Sequence, residues 1–170
     1  MQKSLDSTYD AIEKINQTSC EAFQRTFDLI SANFQEVFTE LFGGGETELQ
    51  LTDESNLLES GVEIIACPPG KRPQNITQLS GGERSLVAIA LLFAMFKIKP
   101  SPFCVMDEVD AALDESNVLR FTNLIRKYVD QTQFIIITHN KRTMETADII
   151  YGVTMEQAGV AKIVSAKFSD

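Results

Sequence analysis

The chain has little of what metal-binding and secreted domains use. Its 170 residues include three cysteines, one histidine and no C-x-x-C pair. Cys20, Cys67 and Cys104 are odd in number and widely spaced, so we expect free, buried thiols in a reducing compartment rather than a disulfide framework. A single histidine without paired cysteines also argues against a zinc site.

Basic residues and long apolar runs are scarce as well. Fifteen Lys and Arg against 24 Asp and Glu give a formal net charge of −9. This balance argues against a broad nucleic-acid surface, although it leaves DNA contact through a local patch or a partner open. The longest apolar run, Leu86 to Phe96, has eleven residues, too few to span a bilayer, and predicts a buried helix. The N-terminus has no apolar signal core, so we expect a cytoplasmic or nuclear protein. The length of 170 residues is enough for one domain with a well-formed hydrophobic core.

Residues 1–42 contain neither proline nor glycine. Apolar residues recur there in steps of three and four, which predicts one helix roughly 60 Å long at ~1.5 Å per residue. Leu5, Tyr9 and Ile12 show the same steps one turn earlier, with a slip of phase as in an interrupted coiled coil. We expect the polar first half to project outward and the Phe-rich second half to pack on residues 43–170; an ordinary amphipathic helix is the alternative. The main stripe is Cys20, Phe23, Phe27, Ile30, Phe34, Val37 and Leu41.

A phosphate-cradling P-loop is also missing. Three glycines, 43–45, end the predicted helix, because glycine tolerates the left-handed cap conformation. Gly70-Lys71 is the nearest approach to G-x-x-x-x-G-K-[ST], but Ile65 stands in place of the first glycine and Arg72 in place of Ser or Thr. This chain therefore has no Walker A motif.

Patterning predicts an α/β domain. Alternation predicts antiparallel strands at 48–52 and 62–66, a polar loop at 71–78 follows, and a helix, apolar on all sides, covers 86–96. Two wholly apolar strands, 103–106 and 134–137, flank a helix on which Asp114 or Ser116 is the N-cap. Strand–helix–strand order makes residues 103–138 a right-handed crossover with a parallel sheet. A short helix at 142–146 and strands at 148–154 and 160–166 complete the chain.

The polar residues at the ends of these elements have a clear chemical use. In a parallel sheet the ligand crevice lies at the carboxyl ends of the strands, where Asp107, Glu108 and His139 are expected. Asp107 suits a hydrated Mg²⁺, and Glu108 suits polarisation of a water for attack on a γ-phosphate. Ser80-Gly81-Gly82 opens a helix whose N–H groups form an anion site. Taken singly, each has a structural alternative: a turn, an N-cap or a surface side chain.

Together these motifs resemble those of ABC-type ATPases. Leu79–Glu83 is followed after twenty-four residues by Asp107, then by Asp114 and, beyond the next strand, by His139. This is the order of the signature, Walker B, D-loop and H-loop. The strings LSGGERSLVAIALLFAM, DEVDAALDESNV and FGGG-x-x-EL-x-LTD, with the preceding coiled-coil pattern, are similar to the C-terminal head lobe of the SMC family, most of all its bacterial chromosome-partition members. The resemblance covers essentially the whole chain and implies an ABC head lobe with a parallel-sheet core and a neck helix at 1–42.

The resemblance also implies a role for each motif. Ser80, Gly81 and Gly82 would contact the γ-phosphate of an ATP held by a second head, and Asp114 would act across the dimer. Asp107 would support Mg²⁺ through water, Glu108 would be the general base, and His139 would sense the γ-phosphate. The lobe would be inactive as an ATPase until combined with the N-terminal lobe that carries Walker A.

Further partners follow from the same resemblance. They are the second head, a kleisin's C-terminal winged-helix domain, and DNA through the complete complex, with no membrane. The last two strands and the neighbouring surface are the candidate contact for the kleisin. The protein would act in chromosome condensation and segregation, in the cytoplasm at the nucleoid. Three alternatives stay open: another coiled-coil ABC ATPase, of double-strand-break repair, which the string 109–114 disfavours; an ABC transporter subunit, which the neck helix and Val109 disfavour; and a non-enzymatic interaction module.

Overall fold

One long helix opens the chain in the computed structural model, which describes residues 2–157 and 159–167. Helix α1 runs over Gln2–Phe42, 41 residues, as predicted. In its outer half Tyr9 and Ile15 are each 64% exposed, whereas Phe34 and Leu41 near its end are buried. The polar half is thus solvated and the Phe-rich half packed, as expected. Met1 and the side chain of Leu5 lie outside the described residues, as do Ala158 and 168–170.

Three glycines in the left-handed region end this helix. Gly43, Gly44 and Gly45 have φ values of 72°, 135° and 86°, and the amide N–H of Gly44 donates to the carbonyl of Thr39 over 2.9 Å. Residues other than glycine rarely adopt these backbone angles, and three left-handed residues in a row end a right-handed helix. The predicted helix end at Phe42 is confirmed.

The helix shares a compact unit, ending at Ser101, with a small antiparallel sheet. Strands β1 (Glu46–Leu51) and β2 (Val62–Cys67) pair in antiparallel register, and the short β3 (Gln74–Asn75) adds to β2. The first two strands were predicted; β3 and a 3₁₀ turn at Ile76–Gln78 replace part of the predicted loop. The buried end of α1, with Phe34 and Leu41, contributes to the core of this unit. The boundary at 42/43 between a neck helix and a head lobe stays a prediction.

Helix α2 (Gly81–Ile98) packs against α1. The Asn33 amide donates to the carbonyl of Ala94 over 3.3 Å, and Lys97 pairs with Glu36. The prediction of a helix buried on all sides is wrong in part, since Met95 is 42% exposed. The buried apolar residues of α2 are Leu86, Val87, Ile89, Ala90, Phe93 and Ala94.

The second unit begins at Pro102 and contains the parallel pair. Strands β4 (Phe103–Asp107) and β5 (Gln133–Ile137) run parallel, in register from Phe103↔Gln133 to Asp107↔Ile137, as predicted. Helices α3 (Glu115–Arg126) and α4 (Lys141–Met144) follow β4 and β5. The other described strands pair antiparallel, so the parallel core predicted for the whole lobe is limited in this chain to one pair of strands.

Neither parallel strand is buried on both faces, contrary to expectation. Phe103 is 58% exposed and Val105 56%, and Ile135 and Ile137 of β5 lie on the same face with 48% and 52%. The opposite face is better covered, with Met106 buried. One apolar face of this sheet is therefore open to solvent.

A hairpin of β6 (Ile149–Gln157) and β7 (Val160–Lys167) completes the unit. Both closing strands were predicted.

All three cysteines are free, but they are half-buried rather than buried; burial raises the pKa of the Cys104 thiol. Within residues 2–157 and 159–167, no helix has the length and apolar character needed to cross a bilayer.

Candidate functional site

The carboxyl ends of β4 and β5 bring three predicted site residues to one edge. Asp107 is the last residue of β4 and pairs with Ile137, the last residue of β5. The amide N–H of Glu108 donates to the carbonyl of Ile137 over 2.8 Å, which extends the ladder by one bond. His139 Nδ1 lies 3.7 Å from Glu108 Oε1, and the two side chains are 73% and 62% exposed. Parallel pairing thus places an exposed carboxylate beside an exposed imidazole.

Glu108 has a strained backbone. Its φ is 47°, the one positive value among the described non-glycine residues, and a left-handed conformation costs an L-residue about 1–2 kcal/mol. Two hydrogen bonds hold it: its N–H donates to Ile137, and its carbonyl accepts from the N–H of Ala111 over 3.1 Å. Such strain clusters at functional sites, where the surrounding structure maintains it.

Behind this edge lies a buried carboxylate that the sequence patterns did not single out as a site residue. Asp110 is 1% exposed. The Thr138 hydroxyl lies 2.9 and 2.7 Å from its two oxygens, and the buried Thr143 hydroxyl also donates to it. The position of Asp110 two residues after Glu108 was the available signal, but its hydroxyl partners are far along the chain.

Asp114 is the N-cap of α3, one of its two predicted caps. Its carboxylate accepts from the Asn117 amide N–H over 2.8 Å and from the Asn117 side chain over 3.2 Å. An acid at a helix N-terminus also interacts favourably with the helix dipole. The cap fixes where the 108–114 turn ends and leaves Asp114 exposed.

Ser80 caps α2 through a capping box. Its hydroxyl accepts from the Glu83 N–H over 3.4 Å, while Glu83 Oε2 accepts from the Ser80 hydroxyl and N–H over 2.7 and 3.2 Å. The Lys71 ammonium lies 2.8 Å from Glu83 Oε1, and this contact, with the bonds from Ser80, lowers the pKa of the Glu83 carboxyl. Lys71 is a second residue absent from the predicted site, twelve residues away in the sequence.

Neither packing nor backbone conformation requires glycine at position 81. A Cβ added to Gly81 would meet nothing within 4 Å. Gly81 and Gly82 are the first residues of α2, so their N–H groups have no acceptor one turn back in the helix. The start of α2 therefore has free N–H groups, which could accommodate an anion, and an ion-paired acid beside them.

The predicted site residues form two groups. Ser80, Gly81 and Gly82 lie in the first unit, and Asp107, Glu108, Asp114 and His139 in the second. The described residues contain no cluster of three His, Cys, Asp or Glu side chains suited to a metal ion. A single exposed carboxylate such as Asp107 still fits Mg²⁺, which keeps several waters and uses one or two carboxylates together with substrate phosphates.

Comparisons with known proteins identify the family. The model of the family described as "RecF/RecN/SMC N terminal domain" matches residues 7–162. The chain belongs to this family. It is 54% identical over 165 residues, 97% of its length, to the chromosome partition protein Smc of Bacillus subtilis strain 168. The chain spans 14% of that relative.

Solved structures agree. One match is a crystal structure of an Smc head domain with an extended coiled coil, bound to the C-terminal domain of ScpA, from Pyrococcus furiosus. The match covers 95% of this chain and 40% of the solved chain, with a TM-score of 0.85 and 42% sequence identity. A structure from work on ATP-driven dimerisation and DNA-stimulated activation of SMC ATPases matches 87% of this chain and 89% of its own, with a TM-score of 0.78 and 44% identity. The fold is thus that of an SMC head, preceded by a long helix.

Proposed function

We propose that this chain is the C-terminal lobe of an SMC ATPase head, supplying parts of two different ATP sites during head engagement. The observation that carries the proposal is the parallel register of β4 and β5, whose last residues pair with each other. This register brings Asp107, Glu108 and His139 together at the carboxyl ends of the two strands. The start of α2 adds the signature motif. Relatives that are chromosome partition proteins favour this function over double-strand-break repair.

The hydrolytic half-site consists of the edge residues. Glu108 would accept a proton from an attacking water; its exposure, its neighbouring histidine and the two hydrogen bonds of its backbone support this role. His139 would contact the γ-phosphate and report its presence. Mg²⁺, held by Asp107 through water, would neutralise charge on the phosphates.

The second half-site is the start of α2. The N–H groups of Gly81 and Gly82 and the helix dipole would bind the γ-phosphate of an ATP held by another head. The Ser80 hydroxyl would join them by turning its proton from Glu83 Oε2 to the phosphate. Lys71 neutralises Glu83 beside that position, which reduces repulsion of an incoming phosphate. Asp114 is exposed at the α3 cap, and its role would be to contact the opposite head across the dimer.

The choice of lobe rests on the motifs. The family's description names an N-terminal domain, but the sequence has the signature and the DEVDAALD string and no G-x-x-x-x-G-K-[ST]. A match to 89% of one solved SMC chain also means that a segment of this extent occurs there as a separate chain. A Walker A lobe must then come from elsewhere in the protein.

Two open apolar surfaces suit the proposed partners. The face of β4–β5 with Phe103, Val105, Ile135 and Ile137 is the candidate seat of the N-terminal lobe, because parallel sheets are normally covered on both faces. The β6–β7 hairpin exposes Val153 by 73% and Ile163 by 70%, and is the candidate contact for a kleisin's C-terminal winged-helix domain. The P. furiosus relative bound to ScpA supports a kleisin partner. DNA would bind through the complete complex, which would work in chromosome condensation and segregation at the nucleoid.

The test is to measure ATP hydrolysis and ATP-dependent dimerisation with and without a Walker A lobe. The chain alone should show no turnover, and the combined head should hydrolyse ATP. Glu108→Gln keeps the side-chain size but removes the proton acceptor, so it should stall an engaged dimer with ATP bound. Ser80→Arg should spare ATP binding and block dimerisation by crowding and charge.

Two results would contradict the proposal. Turnover by the purified chain alone would exclude a split site. Hydrolysis by the Glu108→Gln head at the parent rate would remove Glu108 from the role of base.

A further inference from the structure

Asp110 is an unusual buried group. Its carboxylate is 1% exposed and accepts hydrogen bonds from the hydroxyls of Thr138 and Thr143. Among the described ion pairs, none joins it to a cation. Burying a carboxylate with hydroxyl partners alone is expensive compared with an apolar side chain of similar size. Its presence therefore calls for a reason beyond packing.

The bonds of Asp110 reach both sides of the Glu108–His139 pair. Thr138 immediately precedes His139, and its hydroxyl also accepts from the Asn140 N–H over 2.9 Å, so the network brackets His139 along the chain. On the other side, the carbonyl of Asp110 accepts from the Leu113 N–H over 3.1 Å within the same turn that holds Glu108. Asp110 is the side-chain link between the turn after β4 and the end of β5.

The exposed pair depends on such a link. At 3.7 Å, Glu108 and His139 are too far apart for a hydrogen bond of normal length. Because both side chains are mostly solvated, packing does not fix them, and their spacing follows from the two backbone segments.

From this geometry we propose that Asp110 is a positioning residue of the hydrolytic half-site, which sets the spacing of Glu108 and His139 through Thr138. The inference rests on the proposed ATPase function of that edge. Asn at position 110 would keep the volume but remove the charge and replace one oxygen with an NH₂ donor. The bonds from the two hydroxyls, which both reach Oδ2, would therefore lose their charge assistance and weaken. Residues that orient catalytic or ligating groups in this way typically contribute about 10–100-fold.

The experiment compares Asp110→Asn, Thr138→Val and Thr138→Ser in the combined head. Thr122→Val is the matched control, because Thr122 is buried in the same unit and its hydroxyl donates to its own helix, at Leu119. We expect Asp110→Asn and Thr138→Val each to lower kcat about 10–100-fold with little change in KM for ATP and with ATP-dependent dimerisation retained. Thr138→Ser keeps the hydroxyl and should stay near the parent rate. The double variant Asp110→Asn/Thr138→Val should lose no more than the worse single one.

A second readout does not require ATP. The chain has one histidine, so its imidazole NMR signals belong to His139 without further assignment. In the isolated chain, Asp110→Asn should shift or broaden these signals, and Thr122→Val should leave them unchanged.

The two readouts separate the possible failures. Unchanged His139 signals in a folded Asp110→Asn chain, or an equal loss of kcat in Thr122→Val, would overturn the positioning role. If the parent head hydrolysed no ATP while the NMR result held, the proposed ATPase function would fail and the structural coupling would stand.

Discussion

A side chain at Gly45, in the turn that ends the long helix, should destabilise the protein. The φ of 86° at this glycine costs an alanine about 1–2 kcal/mol. An added Cβ would also lie 2.4 Å from the carbonyl oxygen of Cys67 and 3.1 Å from the ring of Phe38, which is buried. Because the nearest atom is backbone, relief requires β2 to move, and overpacking of this kind costs about 1–3 kcal/mol. Gly45→Ala should therefore destabilise the first unit by roughly 2–5 kcal/mol.

Gly70→Ala is the matched control, since Gly70 has a φ of 76° and a Cβ there would meet nothing within 4 Å. It should show the conformational cost alone, about 1–2 kcal/mol. Urea unfolding followed by far-UV circular dichroism measures both variants, compared at equal m-value. Equal midpoints for the two alanines would refute the reasoning, because they would show that β2 yields at no cost.

Two further predictions concern the signature cap and the hairpin. Lys71→Met should cost less than about 1 kcal/mol at neutral pH, as for other partly exposed pairs. Because the folded-state pKa of Glu83 is lowered from 4.5, this stabilisation is present above pH 4.5 and is lost as pH falls through the folded pKa; thermal melts of parent and variant should thus converge in acid, and a constant gap would contradict the pairing. Val153→Thr with Ile163→Thr should leave the melting temperature nearly unchanged, because both side chains are exposed, yet weaken capture of a kleisin C-terminal domain; undiminished capture would exclude this face.

Local chemistry made most elements predictable from the sequence. The lack of proline and glycine before Gly43 and the triplet that follows define α1, and alternation defines β1 and β2. Asp114 and Ser80 were recognisable as helix caps because their side-chain oxygens accept hydrogen bonds from backbone N–H groups within the next turn of the chain. Strand β3 was missed because two residues carry no periodicity.

What the sequence could not reveal depends on distant partners. Asp110 meets Thr138 and Thr143, 28 and 33 residues away, and threonine in an apolar context gives no pattern of its own. Lys71 meets Glu83 across a segment that contains the short β3 and the 3₁₀ turn. The apolar sequences of strands Phe103–Asp107 and Gln133–Ile137 predicted burial on both faces of the sheet. One face is exposed in this chain, because an apolar sequence does not tell whether the covering surface belongs to the same chain.

Three residue choices have no explanation in the fold itself. A helix could begin at position 81 with alanine, which has room there and a helix propensity about 1 kcal/mol better than that of glycine. A turn with φ of 47° suits glycine or asparagine better than Glu108. An exposed histidine 3.7 Å from that glutamate adds little stability. Each choice costs free energy or contributes almost none, but each would be useful in the proposed ATP site: Gly81 would leave room for a phosphate, Glu108 would act as the base and His139 as a hydrogen-bond donor. We therefore infer the chemistry from the points at which stability alone would have selected different residues.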